Sequence, residues 1–352
     1  MTDASTRRLR VLQSFTVLSE TTNPYLEQLV TSLSGRVEVS LFSWRTAFSG
    51  RFDVLHIHWP ELLVRGTSPL RSVARIVLFL AVLTSMRIRR QALVRTLHND
   101  GPHEGGPRLE SMALRCGDRR TTLWVLLNDA SRPPRPAPTA VIPHGHYRDW
   151  LATVEAERPE RVPGRLLFFG LVRRYKGIEE LLEAFTTLNA DRATLRLIGR
   201  VVDAETALLI EAAAAADHRV SCRLEFIPDA DLVAELGRSQ LVVLPYRTMN
   251  NSGAALLALS LDRTILVPDN PVTRALADEV GAQWVMRYSG RIGASDLVRA
   301  LDETSAGLAG RPDLRRRDWA AVGAAHADAY LRAAQLSGRH PAHVDRQVDA
   351  SR

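Results

Sequence analysis

The sequence predicts an α/β protein made of two Rossmann-like parallel-sheet domains facing across a cleft. Three observations carry this. Short apolar runs alternate with stretches of helical period along most of the chain. Two such series are separated by a break near 150–163. The length of 352 residues, 45% hydrophobic and 24% charged, suffices for two separate cores and excludes collagen-like, coiled-coil and wholly disordered chains. The expected divisions are an N-terminal domain over 1–152, a second domain over 163–309, a helical segment over 310–336 and a disordered polar tail over 337–352.

The first series opens with a buried strand at 9–15, followed by a helix whose start is marked by Asn23 and Pro24, proline suiting the first helical turn. Strands are expected at 37–42, 53–58, 92–97 and 123–127. After a proline-rich stretch that resists helix, another falls at 140–143. The second series begins with a strand at 165–170. It continues with a helix at 178–188, a strand at 194–199, a helix at 204–216 and a strand at 223–227. A helix at 231–238, a strand at 241–245, a helix at 254–261 and a strand at 264–267 follow. In doubly wound sheets, ligands bind at the carboxyl ends of the strands, so the loops there are where functional residues are sought.

Two cysteines far apart, Cys116 and Cys222, match no metal-ligand spacing and point to a reducing compartment. The N-terminus lacks the apolar stretch of a secretory signal, and no apolar run reaches the roughly 20 residues of a spanning helix, so a cytoplasmic protein is expected. The net charge of +7 is lopsided: residues 1–150 hold 20 Lys+Arg against 12 Asp+Glu, and the remainder is close to neutral. Such a field attracts phosphate-bearing partners. Ser68 and Pro69 open a helix reaching about Met86, whose apolar centre is flanked by Arg71, Arg75, Arg87, Arg89 and Arg90. This segment is either a core helix with basic ends or a peripheral contact with an anionic membrane, at the inner face of the plasma membrane. Nucleic acid is not expected, because the basic surplus lacks interleaved aromatics.

The loops hold the candidate chemistry. Lys176 is the single lysine among 46 basic side chains, which singles out a place where a compact ammonium is needed. It follows an apolar strand ending at Gly170 and shares its loop with Arg173, at the start of a helix, where free backbone N–H groups already favour an anion. A second strand ends at Pro245. Beyond it come Asn250, Asn251, Ser252 and Gly253, an ordinary helix cap or a set of donors for a diphosphate. A third loop crowds His98, Asp100, His103 and Glu104, a density suited to general-base or hydroxyl-binding roles. The interrupted histidine spacing does not make a helical metal site. His56, His58 and His144 close neighbouring strands, as packing residues or as cleft lining.

Together these residues resemble the GT-B glycosyltransferases, specifically the bacterial group around family 4. The spacing from Gly170 to Lys176-Gly177 is that of the family's donor-domain loop, with Leu171 where an arginine is usual and Arg173 as its substitute. The stretch around Phe226, Ile227 and Pro228 is similar to the family's nucleotide-contacting loop. The resemblance implies a hexosyltransferase that draws on a UDP- or GDP-sugar and acts on a glycan or polyprenyl-diphosphate-linked acceptor in cell-envelope glycan assembly. It implies no cofactor and no metal, because Arg173 and Lys176, helped by Asn251, Ser252 and Gly253, would offset charge on the leaving diphosphate. Gly170, Phe226, Ile227, Pro228, Asn250 and His144 would contact the nucleotide or sugar, and His98 would face the transferred sugar. Glu104, Asp100 or His103 would serve as base in an inverting reaction. The final helix would cross back to the first domain. The family's paired glutamates are replaced here by Met249 and Leu257. This supports a second reading, a catalytically silent nucleotide-sugar-binding partner of an assembly complex, beside a third, a nucleotide-sugar epimerase.

Overall fold

The computed structural model describes residues 8–16, 23–98, 107–157, 159–188 and 193–338. Its contacts divide the chain into one unit of Met1–Gly145 with Arg317–Arg352 and another of His146–Arg316.

In the first unit the strands are β1 (Arg10–Gln13), β2 (Glu38–Leu41), β3 (Val54–Ile57), β4 (Ala92–Leu97), β5 (Leu123–Leu126) and β6 (Thr139–Val141). All pair in parallel in the order β2-β1-β3-β4-β5-β6. Every residue of β3 and β4 is buried, as expected where helices cover both faces of a parallel sheet. The helix Trp319–Leu336 belongs to this unit and packs on the helix Pro24–Leu33. Their crossing is close: a Cβ on Gly323 would lie 2.4 Å from the Ser32 carbonyl oxygen, so only glycine fits there. Asn23 caps the helix Pro24–Leu33 by accepting from the Tyr25 N–H at 3.0 Å, as its sequence position foretells.

The second unit contains β7 (Arg165–Phe169), β8 (Thr194–Ile198), β9 (Val220–Arg223), β10 (Leu241–Val243), β11 (Thr264–Pro268) and β12 (Val285–Tyr288). Its parallel order is β12-β11-β10-β7-β8-β9. The order reverses between β7 and β10 here, and between β1 and β3 in the first unit. Those are the points at which open α/β sheets leave a crevice at their carboxyl ends.

Three placements differ from the sequence reading. The strand expected at 223–227 lies at Val220–Arg223, because Val220 and Cys222 take the register positions opposite Leu195 and Leu197, leaving 224–228 as loop. The chain enters the second unit at His146 rather than after 152, since Tyr147 and Leu151 bury in that unit's core. The helix expected to end near Met86 runs Pro69–Ile88, twenty residues, long and apolar enough to cross a membrane by length and composition. One face of it nevertheless belongs to the core, through Ile76, Phe79, Val82, Leu83 and Met86.

A charged residue inside β4 is held in place by pairing. Arg95 is bonded to Asp118 of the helix Arg108–Arg120, and its guanidinium lies 4.7 Å from the centroid of the Trp124 ring. Removing one partner of a buried pair leaves an uncompensated charge. Asp118→Ala is therefore expected to destabilise the first unit by roughly 3–5 kcal/mol in denaturant melts, and a double Asp118→Ala/Arg95→Met variant by less.

Candidate active site

The second unit builds its site at the β7/β10 reversal. The chain leaves β7 through Gly170 at φ +104°, and β8 ends at Gly199 at φ +128°. A Cβ on Gly199 would stand 2.1 Å from the Gly170 carbonyl oxygen, so the two loops press backbone to backbone. A 3-10 turn, Arg174–Lys176, closes at Gly177 with φ +69°, where a Cβ would meet the Pro245 carbonyl oxygen at 1.9 Å. This contact locks the loop after β7 onto the loop after β10 and drives Lys176 inward.

Lys176 is 9% exposed. Its Nζ lies 5.0 Å from the centroid of the Tyr246 ring and 6.0 Å from that of Phe168. A Cβ on Gly170 would come within 3.7 Å of this Nζ, so the ammonium faces bare backbone. Among the described residues no carboxylate and no hydrogen-bond acceptor pairs with it. Burial, with the nearby Arg173 guanidinium, pushes its pKa down to about 8. A buried cation without a counter-charge is costly by itself and is completed by an anion. Beside it begins the helix Gly253–Ser260, where Ser252 accepts from the Ala255 N–H at 3.2 Å and hydrogen-bonds the Tyr246 hydroxyl. Arg247, by contrast, is committed to Glu180 at 2.8 Å and Glu179 at 3.4 Å.

Arg173, Lys176, Asn250, Asn251, Ser252 and Gly253 thus sit on the loops of two adjacent strands, with Gly170 between them. Phe226, Ile227 and Pro228 follow β9, two strands along the same edge, with Phe226 60% exposed. Met249 and Leu257, which stand where the family's glutamates would, are buried in the unit's apolar core.

The first unit gathers five histidines: His56 and His58 from the end of β3, His98 beyond β4, His144 beyond β6, and His326 from the helix Trp319–Leu336. His56 Nδ1 lies 2.7 Å from the Tyr330 hydroxyl and its Nε2 2.8 Å from Thr96 Oγ1. His58 Nε2 lies 3.3 Å from Gln13 Oε1, and its Nδ1 lies 3.2 Å from His98 Nε2. Gln13 also donates to the Tyr330 hydroxyl at 3.2 Å. Burial, and for most of them repulsion between neighbouring rings, holds these histidines neutral: His98 is pushed down to about 3, and His144 and His326 to about 4. Among the described residues no three side chains are arranged to hold a metal.

His98 is half-buried and clamped, its ring stacked on Trp59 at 4.5 Å and met edge-on by Tyr25 at 5.6 Å. Trp59 also walls a cavity of about 720 Å³ that Phe15, Phe42, Trp44 and Arg75 help to line. His144 packs against Tyr25 at 4.4 Å, in the first unit, whereas the other expected nucleotide contacts lie in the second. Asp100, His103 and Glu104 fall outside the described residues. Sequence reasoning did not find Gln13, Tyr330 or the Tyr246 wall. A glutamine inside an otherwise apolar strand was the available signal for Gln13. Nothing local marks Tyr330, which meets Gln13 across 317 positions.

Because folding lowers the Lys176 pKa, the protonated form is penalised in the native state. The penalty is full below about pH 8 and fades as pH rises toward the ordinary lysine value. Lys176→Met should thus raise the melting temperature at neutral pH, by the equivalent of roughly 3 kcal/mol, while abolishing the thermal shift caused by a nucleoside diphosphate. In the unaltered protein, diphosphate affinity should weaken as pH rises past about 8, measurable by calorimetric titration.

No family model matches the chain. Two sequences from Xanthomonas campestris pv. campestris, each named GDP-mannose:glycolipid 4-beta-D-mannosyltransferase, are 42% identical to it over 336 residues, 95% of this chain and 95% of theirs. Among solved structures, Anabaena Alr3699/HepE in complex with UDP and glucose matches with a TM-score of 0.57 at 13% identity, over 94% of this chain and 98% of that one. The lipopolysaccharide outer core galactosyltransferase WaaB in its apo form matches with a TM-score of 0.58 at 10% identity, over 91% and 99%. The structural matches establish the shared two-domain α/β architecture. Given the 42% identity along nearly its whole length, the chain belongs to the GT-B glycosyltransferases, in the family of the Xanthomonas mannosyltransferases, and is itself a glycosyltransferase.

Proposed function

We propose that the enzyme moves a mannosyl group from GDP-mannose to a sugar hydroxyl of a glycolipid whose glycan is carried on a polyprenyl diphosphate, forming a β-linkage. The observation that carries this reading is the buried, uncompensated ammonium of Lys176 at the β7/β10 reversal, taken with the 42% identity to the glycolipid mannosyltransferases. The sugar of GDP-mannose is α-linked, so a β product means inversion at C1. As the C1–O bond breaks, negative charge accumulates on the departing GDP. Arg173 and Lys176, with the first amides of the helix Gly253–Ser260, supply the counter-charge that a divalent cation supplies in other transferases, so the reaction needs no metal.

The aromatic cavity beside Trp59 suits the acceptor. Trp44, Trp59, Phe15 and Phe42 offer flat apolar faces to sugar rings, and Arg75 lies at its edge, held by the Leu62 and Arg65 carbonyls at 3.3 and 2.6 Å. Arg75 belongs to the helix Pro69–Ile88, whose outward stripe is Leu70, Val73, Ala74, Val77, Ala81, Thr84 and Ile88. Leu70 is 80% exposed and Ile88 78%. Arginines 71, 75, 87, 89 and 90 flank the stripe. An apolar outer face edged by cations fits a helix lying in the surface of an anionic bilayer, with the enzyme held peripherally where its lipid-linked acceptor resides.

The donor assignment is tested by thermal shift with GDP-mannose, UDP-glucose and UDP-galactose. A shift with GDP-mannose alone is expected, and a response confined to the uridine sugars would refute the assignment. For the membrane contact, flotation with phosphatidylglycerol vesicles should show salt-sensitive binding. Replacing Arg87, Arg89 and Arg90 by alanine should weaken it roughly 100-fold, at about 1 kcal/mol per arginine. Equal recovery of the altered protein with the vesicles would remove that surface from consideration.

A further inference from the structure

Resting on the reading of an acceptor carried on a polyprenyl diphosphate, we infer that Arg75 recognises that diphosphate, at the rim where the aromatic cavity of the first unit meets the apolar outer face of the helix Pro69–Ile88. The argument begins with the hydrogen bonds of the guanidinium. Its Nη1 donates to the Leu62 carbonyl at 3.3 Å and to the Arg65 carbonyl at 2.6 Å, at the helix Glu61–Val64 and its C-terminal cap. The Arg65 carbonyl is itself held in place. The next residue, Gly66, donates its N–H to Ser72 Oγ at 2.9 Å, and a Cβ there would lie 2.7 Å from the Arg71 carbonyl carbon, so this turn is seated on the start of the helix Pro69–Ile88. Two backbone carbonyls thus fix the plane of the Arg75 group while occupying only one of its nitrogens. Among the described residues Nε and Nη2 have no partner, and no carboxylate pairs with Arg75. Nε–H and one Nη2–H form the fork that takes two oxygens of a phosphate at once.

The surroundings say which phosphate. Arg75 lines the cavity of about 720 Å³ together with Trp44, Trp59 and Leu62, and Ser14 and Ser43 add hydroxyls to the same wall. Its own helix turns Leu70, Val73 and Val77 outward. Arg71, one turn earlier, stands on the same flank with its Nη1 donating to Thr67 Oγ1 at 2.8 Å, and among the described residues it too has no carboxylate partner. A lipid-linked glycan carries its chemistry in the same order: hydrocarbon in the bilayer, charge at the surface, sugar rings in water. The first unit presents an apolar stripe, then cations, then aromatic faces. The phosphate of an ordinary lipid headgroup offers the same oxygens to the fork, but it has no glycan to place in the cavity beside it.

The test uses the full chain in neutral detergent micelles, with saturating GDP present to fill the anion site of the second unit. Calorimetric titration then compares farnesyl diphosphate with farnesol. The unaltered protein should bind the diphosphate at least tenfold more tightly than the alcohol. Arg75→Gln should weaken binding of farnesyl diphosphate by about 10- to 100-fold, the worth of a charge-assisted bidentate contact, and should thereby erase the preference over farnesol. Arg75→Lys, which keeps the charge and loses the fork, should fall between the two. A folded Arg75→Gln protein with its preference intact overturns the assignment, as does an equal loss of affinity for both probes, which would mark a structural role. Should Arg75→Gln fail to fold by circular dichroism, Arg75→Lys decides, and an unchanged affinity there overturns the bidentate contact. Flotation with phosphatidylglycerol vesicles separates the two sources of phosphate: an Arg75→Gln protein that loses the vesicles but keeps its farnesyl diphosphate affinity in micelles would show a headgroup contact and overturn the proposal. If the unaltered protein itself binds farnesyl diphosphate no better than farnesol, the reading of a diphosphate-linked acceptor falls instead.

Discussion

The second unit is organised around a cation that it buries without a carboxylate partner among the described residues. Placing Lys176 beneath Tyr246 and Phe168 costs solvation free energy that no described carboxylate offsets, and this is visible in the ammonium's pKa of about 8. The backbone leaves the side chain little alternative. Gly177 in the left-handed region seats the turn against the Pro245 carbonyl, and Gly170 and Gly199 let two loops meet where any side chain would collide. Three glycines thus convert a surface loop into a socket. An anion brought to the ammonium would offset that cost, as the opposite charge does in a buried salt bridge.

The first unit handles buried polarity in the opposite way. Its imidazoles, the Gln13 amide and the Tyr330 and Thr96 hydroxyls satisfy one another in a chain of directed hydrogen bonds, and none needs a charge. Such networks are rigid because turning one member leaves its neighbours unpaired.

Much of this was legible in the sequence, and the limits of legibility are physical. The helix Ala204–Ala216 and the strand Ala92–Leu97 lie where periodicity places them, and the loop from Gly170 to Lys176 stood out because an apolar strand, a glycine and an isolated lysine are all local features. The strand β9 shifted because Arg223 to Ile227 is apolar enough to read as strand, while register is decided by the neighbour, where Val220 meets Leu195. The histidine network was half visible. His56 and His58 close a strand in plain view, but their orientation depends on Gln13 and Tyr330, and no local pattern links residues so far apart along the chain. The helix Pro69–Ile88 shows a similar ambiguity. Composition cannot say which apolar residues face inward, and only packing separates Phe79 and Met86 from Val77 and Ile88.

Met249 and Leu257 tie these threads to the chemistry. Where related enzymes place carboxylates, this chain folds two apolar side chains into the core behind β10, and Asn270 Nδ2 ties down the Met249 carbonyl at 2.9 Å. Neither position therefore offers a group able to accept a proton. With apolar side chains at both positions, the unit adds no negative charge there to set against the buried ammonium of Lys176.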